Sequence, residues 1–248
     1  MSTIKTCRIL GVNIAVTNMA QTVQYIENNL EELRGKYICV SNVHTTIMAH
    51  DNPAYRNVQN SAAIALPDGK PLSVVSRKRG YTEAERVTGP DLMGELFARE
   101  NGLKHFFYGD KEETLQILQQ KLKEKYPDIQ IAGMISPPFR SLSQEEEKAY
   151  IQQINDSGAD IIWIGLGAPK QENWMYEHQG MLHGVMIGVG AGFSYHAGLI
   201  KRAPEWMQKM SLEWFYRLMQ DPVRLFKRYF TTNLKFILLE AKDKGEAL

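Results

Sequence analysis

The segment from Asp160 to Gln171 combines an apolar run with two glycines, a proline and two polar side chains. Ile161 to Gly165 is too short for a helix and is typical of a buried strand. Gly167 then interrupts the chain, and Pro169 stands where a helix can begin. Such a strand, glycine loop and helix N-terminus bind anions, with Lys170 and Gln171 as further donors. A plain strand-to-helix turn needs the same residues, so the phosphate site and the turn both stay open.

Asp68 is the best candidate for acid–base chemistry. It follows an apolar strand-like run and stands between Pro67 and Gly69. A carboxylate at a strand end can accept the proton of a sugar hydroxyl as that oxygen attacks a donor. The alternative is structural, because Pro-Asp-Gly is also a common turn sequence.

Other polar groups follow other predicted strands. Asn42 either fixes a ligand hydroxyl or caps the next helix, and His44 is a base, a phosphate donor or a packed side chain. Arg86 either binds a phosphate or pairs with Asp91, and Gly190 belongs to a second glycine loop. Because ligands collect at the carboxyl ends of parallel strands, the sequence predicts that these groups form one site.

The elements that would position this site alternate between strand and helix. Predicted strands lie at residues 8–17 (a strand or hairpin), 37–41, 62–66, 103–108, 129–135, 161–165 and 185–189. This alternation predicts an α/β fold, Rossmann-like, with a mainly parallel sheet and helices on both faces. After Gly198 the strand patterns stop. We therefore divide the chain into a catalytic domain, residues 1–198, and a helical C-terminal appendage, residues 199–248.

The appendage contains a basic amphipathic helix after Pro222. Its apolar residues recur at three- and four-residue steps: Val223, Phe226, Phe230, Leu234 and Ile237. Arg224, Arg228 and Lys235 fall on another face, and residues 201–240 hold eight basic against four acidic residues. The pattern suits contact with a membrane surface, docking on the protein's own domain, or self-association into a homo-oligomer.

Composition excludes several classes. The 248 residues carry a net charge of +1, so the sequence does not predict a nucleic-acid partner. Cys7 and Cys39 are expected to be reduced, buried thiols. The N-terminus has no apolar signal core and no window of about 18 apolar residues exists, so we expect a cytoplasmic protein that is at most peripheral to the membrane.

Several motifs are missing. The sequence has no Asp-x-Asp pair, no Cys/His metal spacing, no phosphate-binding P-loop and no Gly-x-Ser-x-Gly. The first strand is not followed by Gly-x-Gly-x-x-Gly, which argues against a dinucleotide cofactor. We therefore predict neither a metal nor a cofactor. If a diphosphate leaves from this site, arginines, lysines and backbone N–H groups must offset its charge.

An ordered set of short motifs lies between Pro67 and Leu218, within a match that extends from about Ile9 to Tyr229. It comprises Pro67-Asp68-Gly69, Arg86-x-x-Gly89-x-Asp91, Gly167-Ala168-Pro169-Lys170-Gln171-Glu172, Phe193-x-x-x-Ala197-Gly198, Arg202-Ala203-Pro204-x-Trp206 and Leu212-Glu213-Trp214-x-x-Arg217-Leu218. Together they resemble the WecG/TagA/CpsF family of bacterial glycosyltransferases (glycosyltransferase family 26). The resemblance implies an inverting, metal-independent enzyme that moves a sugar from a UDP-sugar to a polyprenyl-diphosphate-linked saccharide at the inner face of the membrane. It also implies a Rossmann-like domain whose appendage closes over the site and touches the membrane.

The resemblance assigns roles by position. Asp68 matches the family's proposed base, Asn42 a pocket asparagine, and Arg86 and Gln171 pocket residues near the donor. The appendage residues that match positions thought to engage the diphosphates are Arg217, Arg224 and Lys227.

The departures from the family pattern concern the donor sugar. Val40 replaces a threonine, Ser194 stands where the family often has aspartate, and Lys227 stands where arginine is found elsewhere. N-acetylmannosamine is the expected sugar. The segment from Asn42 to Thr45 looks closer to exopolysaccharide-type members, so a glucosyl or other hexosyl donor is the alternative.

Two rival functions remain at this point. One is a nucleotide-sugar-modifying enzyme that uses NAD, such as an epimerase or dehydrogenase. The other is a non-catalytic, membrane-bound scaffold that keeps a nucleotide pocket.

Overall fold

The computed structural model describes residues 4–99, 101–204, 206–207, 210 and 212–243, and of residues 224–229 only the backbone. Within these residues eight strands form one sheet. They are β1 (Thr6–Ile9), β2 (Val12–Ala15), β3 (Tyr37–Ser41), β4 (Ile64–Pro67), β5 (Lys104–Gly109), β6 (Gln130–Ile135), β7 (Ile161–Gly165) and β8 (Val185–Gly188). Their order across the sheet is β1-β2-β4-β3-β8-β7-β5-β6.

The sheet is parallel except at one edge, as the sequence predicts. β1 and β2 form an antiparallel hairpin, and every other neighbouring pair runs parallel. The hairpin turns at Leu10 and Gly11, whose φ angles are 48° and 88°. Tight hairpin turns need positive φ at these positions because that backbone twist matches the twist of the strands. The predicted segment 8–17 is therefore a hairpin rather than a single strand.

Helices cover the sheet. They are α1 (Met19–Asn28), α2 (Leu30–Leu33), α3 (Val43–Asp51), α4 (Pro53–Ser61), α5 (Lys70–Lys78), α6 (Gly89–Phe97), α7 (Glu112–Lys125), α8 (Gln144–Asp156), α9 (Lys170–Glu177), α10 (Gly192–His196), α11 (Glu213–Gln220) and α12 (Pro222–Glu240). Ser143 and Glu146 form the predicted capping box of α8. The helix predicted to continue to Leu33 stops at Asn28, because the Asn29 amide donates to the Tyr25 carbonyl oxygen and caps α1.

The central strands are buried on both faces. In β3 the side chains of Tyr37 and Cys39 belong to one apolar cluster, and those of Ile38 and Val40 belong to the other. Alternate residues of a strand point to opposite faces, so continuous apolar runs are what a doubly covered sheet requires. Cys7 and Cys39 are both buried and unbridged, which confirms the prediction for the two thiols.

The end of α12 is anchored along α3. Phe236 is buried, the Lys235 ammonium lies 2.7 Å from the Asp51 carboxylate, and the Arg79 guanidinium lies 2.6 Å from the Glu240 carboxylate. The predicted apolar face points away from the domain. The exposed residues of this predicted face are Val223, Phe230, Leu234 and Ile237, and the neighbouring Leu238 is exposed as well.

We call the five exposed residues, Val223, Phe230, Leu234, Ile237 and Leu238, the apolar stripe.

In the described part of the chain no helix combines the length and apolar character needed to cross a membrane. The division into residues 1–198 and 199–248 stays a prediction.

We predict that Phe236→Ala loosens α12 from α3. Removing a buried aromatic ring lowers the free energy of unfolding by about 3 kcal/mol through lost packing and the remaining cavity. Urea denaturation of the full chain measures this loss. The matched control is Phe230→Ala, the same change at a ring that is 63% exposed, for which we expect a change of less than about 1 kcal/mol. Equal effects at both positions would contradict this anchoring.

Candidate active site

Asp68 is held at the carboxyl edge of the sheet. It follows β4 directly, and its backbone N–H donates to the Ser41 carbonyl oxygen at the end of β3, at 2.7 Å. Gly69 turns the chain into α5 with φ of 96°, a conformation that favours glycine. The strand ends and the glycine turn thus place a half-buried carboxyl between β4 and α5.

Asn42 caps a helix and contacts Asp68 at the same time. Its side-chain oxygen accepts the backbone N–H groups of His44 at 3.0 Å and Thr45 at 3.2 Å, which caps α3. That use of the oxygen leaves the amide nitrogen to donate to the Asp68 carboxylate. The capping alternative drawn from the sequence is therefore confirmed, and a contact between Asn42 and a ligand hydroxyl stays a prediction. His44 lies in the first turn of α3, beside this contact.

Arg86 lies in a group of charges that includes residues from before and after Gly198. Its guanidinium forms an ion pair with Glu213 of α11 and lies 3.9 Å from the Asp91 carboxylate. Arg202 of the appendage pairs with Asp91, and the Thr88 hydroxyl donates to Asp91 at 2.6 Å. The predicted pairing of Arg86 with Asp91 is present, but the closer partner of Arg86 is an appendage carboxylate.

The charges around Asp68 set its proton affinity. Burial raises the pKa of the Asp68 carboxyl to about 6, and the negative charge of Glu213 acts in the same direction. The positive charges of Arg86 and Arg217 and the hydrogen bond from Asn42 oppose that rise in pKa. A carboxylate with a pKa near 6 is ionised at neutral pH and is a stronger base than an exposed aspartate.

Arg217 approaches the same carboxyl from the appendage. Its guanidinium lies 5.5 Å from the centre of the Tyr195 ring, a cation–π distance that fixes its position. Asp91 differs from Asp68. Burial opposes its ionisation, but hydrogen bonds from Thr88 and Arg202 and the nearby positive charges hold its pKa below the usual value. Asp68 is therefore the carboxyl of this group that is suited to accept a proton.

Gln171 ties the two glycine loops together. Its side-chain oxygen accepts the backbone N–H groups of Gly167 at 3.2 Å and Gly190 at 3.0 Å. These two N–H groups were predicted donors to a phosphate, and in the structure they donate to Gln171 instead. Lys170, one residue before, is exposed. Gln171 thus fixes the spacing of the loops that follow β7 and β8.

Glu172 is a buried residue of this region that the sequence analysis did not single out. It is 1% exposed, and its carboxylate accepts the Gln171 side-chain N–H at 2.8 Å. Burial raises the pKa of the Glu172 carboxyl, while hydrogen bonds from Gln171 and Tyr55 lower it.

The same polar chain continues towards the end of β3. Gln59 donates to the Tyr55 hydroxyl at 2.9 Å and accepts from the Ser41 hydroxyl at 2.5 Å. Buried polar side chains of this kind hold one another in place because each has lost its contact with water. The sequence signal that could have identified Glu172 was an acidic residue directly after Gln171, at the start of a short helix.

Asp110 was also missed. It follows β5 with φ of 59°, and its carboxylate accepts the Ser194 hydroxyl at 3.1 Å. The Ser136 hydroxyl donates to the Asp110 carbonyl oxygen at 2.8 Å. Left-handed backbone at a residue other than glycine is uncommon and concentrates at functional positions. A polar residue directly after an apolar strand was the signal that could have identified it.

The predicted residues thus form two groups at one edge of the sheet, where β4, β3, β8 and β7 are neighbours. The first surrounds Asp68 and the second surrounds Gln171. The side chains of Arg224 and Lys227 lie outside the described residues. The described residues also hold no cluster of histidine, cysteine and acidic side chains that suits a metal ion.

Comparisons with known proteins identify the family of the chain. The glycosyl transferase WecG/TagA/CpsF family matches residues 7–247. An N-acetylglucosaminyldiphosphoundecaprenol N-acetyl-beta-D-mannosaminyltransferase of Bacillus subtilis (strain 168) is 30% identical over 232 residues, 92% of this chain and 88% of the relative. A protein of the same name from Staphylococcus aureus (strain MW2) is 29% identical over 241 residues, 95% of this chain and 93% of the relative. These matches extend through the appendage.

We predict that Gln171→Leu destabilises the protein by about 3 kcal/mol, because it leaves two backbone N–H groups and a buried carboxyl without their partner. Chemical denaturation measures the change. Gln179→Leu is the matched control, since Gln179 is exposed just after the same helix, and we expect an effect within about 0.5 kcal/mol. A Gln171 variant as stable as the control would show that the loops do not depend on this side chain.

Proposed function

Because the chain belongs to the WecG/TagA/CpsF family and is a glycosyltransferase, we propose that it transfers a sugar from a UDP-sugar to a polyprenyl-diphosphate-linked saccharide. The observation that carries the proposal is Asp68: a half-buried carboxyl at the carboxyl edge of the sheet, with a pKa of about 6, near two arginine charges. Family membership sets aside the NAD-dependent rival, whose fingerprint the sequence lacks.

The proposed reaction is a direct displacement. The Asp68 carboxylate takes the proton of the acceptor hydroxyl while that oxygen attacks the anomeric carbon of the donor. The new carbon–oxygen bond forms on the face opposite the UDP, the bond to the UDP oxygen breaks, and UDP leaves with the electron pair. One displacement on one face inverts the configuration at the anomeric carbon.

Arginines are the proposed counter-charges for the diphosphate groups. Arg86 and Arg217 both act electrostatically on Asp68, so they lie beside the proposed reacting centre. Guanidinium groups bind phosphate oxygens in a two-pronged manner and need no metal to do so. Arg224 and Lys227 complete the set by their position in the sequence. Metal-independent transfer is the corresponding proposal, in keeping with a sequence that lacks the Asp-x-Asp pair.

N-acetylmannosamine is the proposed donor sugar, because both named relatives are N-acetyl-beta-D-mannosaminyltransferases. A glucosyl or other hexosyl donor remains the alternative. The observation that favours it is Ser194, which stands where the family often has aspartate and which donates to Asp110. A different side chain at the site edge changes which sugar hydroxyls find a partner.

The apolar stripe supports a peripheral position on the inner face of the cell membrane. Its five side chains are between 49% and 92% exposed along one helix. An exposed apolar surface of this kind is typical of a membrane or protein contact. The lipid-linked acceptor makes the membrane our proposal, and a second copy of this chain is the alternative cover.

The test is UDP release from a panel of UDP-sugars, with and without a short-chain polyprenyl-diphosphate N-acetylglucosamine acceptor. We expect acceptor-dependent release from one donor and a rate that rises with pH through about 6 and then levels, since Asp68 must be deprotonated. Asp68→Asn should lower turnover by a factor of about 10² to 10⁴ while UDP-sugar binding persists. Full turnover in this variant would refute the base assignment, and UDP binding without any release would favour the scaffold.

We predict that Glu213→Gln moves the acidic limb of this pH–rate profile to lower pH. Glu213 raises the pKa of Asp68, so removing its negative charge lowers that pKa and leaves the base ionised in more acidic solution. Glu145→Gln, the same change at an exposed residue of α8, is the control. A limb that stays in place, or moves to higher pH, would show that Glu213 does not act on Asp68 in solution.

A further inference from the structure

A basic cavity lies at the edge of the sheet opposite Asp68. It measures about 480 Å³ and is formed by the β1–β2 turn, the segment from α3 to α4, and the end of α12. Ile14 of β2 pairs with Ala65 of β4 in parallel, so the turn before β2 lies level with the amino ends of the strands. The cavity is therefore separate from the proposed active site.

Three positive side chains line this cavity: Arg8, Arg56 and Lys242, with His50 beside them. Arg56 lies against the hairpin turn, where its Cδ would come within 3.0 Å of a Cβ added at Gly11. Within the described part of the chain, neither Arg56 nor Lys242 forms an ion pair with a carboxylate.

The one carboxylate in the lining has partners of its own. Asp243 accepts the Leu10 backbone N–H at 3.2 Å and lies 3.2 Å from the Arg79 guanidinium. It shares this guanidinium with the Glu240 carboxylate, which lies closer, at 2.6 Å. Three positive side chains against one carboxylate still leave the lining with a formal excess of positive charge, which suits an anion.

The position of the cavity relative to the apolar stripe suggests where this anion comes from. Ile237 and Leu238 are 63% and 56% exposed and directly precede Leu239, which lines the cavity. Lys235 lies about 120° round the helix axis from the centre of the stripe and pairs with Asp51, and Lys242 follows two residues after the end of α12. When a helix lies flat with its apolar face in a bilayer, such a basic flank stands at the level of the lipid headgroups.

We propose that this cavity binds the phosphate headgroup of an anionic phospholipid while the apolar stripe enters the bilayer surface. The proposal rests on the membrane position proposed above. The 19 residues of α12 extend over about 28 Å, so the cavity and the lipid-linked acceptor hold the protein at two separated points. Two such contacts fix how the carboxyl edge of the sheet faces the membrane.

The experiment is sedimentation of the full chain with vesicles of phosphatidylcholine alone or with one fifth phosphatidylglycerol. The cavity variant is Arg56→Gln with Lys242→Gln, and Lys242→Gln alone is a milder variant at an exposed residue. The matched control, Lys123→Gln with Lys148→Gln, removes two exposed charges from α7 and α8. We expect phosphatidylglycerol to raise the affinity of the wild type for vesicles. In the cavity variant we expect this rise in affinity to be smaller by a factor of about ten or more. The control should keep most of it.

Three readouts separate the outcomes. Losses that are equal in the cavity variant and the control overturn the headgroup site. If inorganic phosphate binds the wild type but not the cavity variant, while phosphatidylglycerol has no effect, the anion is a soluble phosphate and the lipid assignment is wrong. UDP release with a short-chain acceptor in detergent-free buffer should be unchanged in the cavity variant. Absence of acceptor-dependent UDP release by the wild type would instead refute the proposed transferase reaction, independently of the vesicle sedimentation result.

Discussion

The cost of ionising a half-buried carboxyl governs the arrangement around Asp68. Burial alone favours the protonated acid, which cannot accept a proton. Arg86, Arg217 and Asn42 favour the carboxylate and keep its pKa near 6. The result is a base that is ionised at neutral pH and still has appreciable affinity for a proton. Because one of these arginines comes from α11, the domain and the appendage set this balance together.

The second part of the site depends on a buried polar chain rather than on free charges. Gln171 holds two loops through one oxygen, and Glu172 holds Gln171 through its amide nitrogen. Each member is oriented by the next, so the loops after β7 and β8 are positioned before any ligand arrives. Preorganised loops of this kind reduce the reorganisation that binding would otherwise require. The two glycine loops are thus held together by the Gln171 side chain, to which the Gly167 and Gly190 N–H groups donate.

The sequence predicts those features of the fold that depend on neighbouring residues. The apolar run of β7 and the capping box at Ser143 both follow from local patterns, and both are confirmed. The ion pair between Arg86 and Glu213 joins residues 127 positions apart, and the bond between Asp110 and Ser194 joins residues 84 apart. No local pattern specifies such partners, because chain folding alone brings them together. The period of α12 likewise identified an apolar face, but not that this face would remain exposed.

If Arg86 holds the donor diphosphate as proposed, its contact with Glu213 links donor binding to the position of α11. In the proposed reaction Arg86 also faces the donor diphosphate, so its guanidinium would serve two anions, the diphosphate and the Glu213 carboxylate. If donor binding weakens the contact between Arg86 and Glu213, thermodynamic reciprocity requires that a stronger contact weakens donor binding by the same coupling free energy. Glu213 begins α11, which directly precedes the helix that carries the apolar stripe, so this coupling would extend from the proposed donor site to α12.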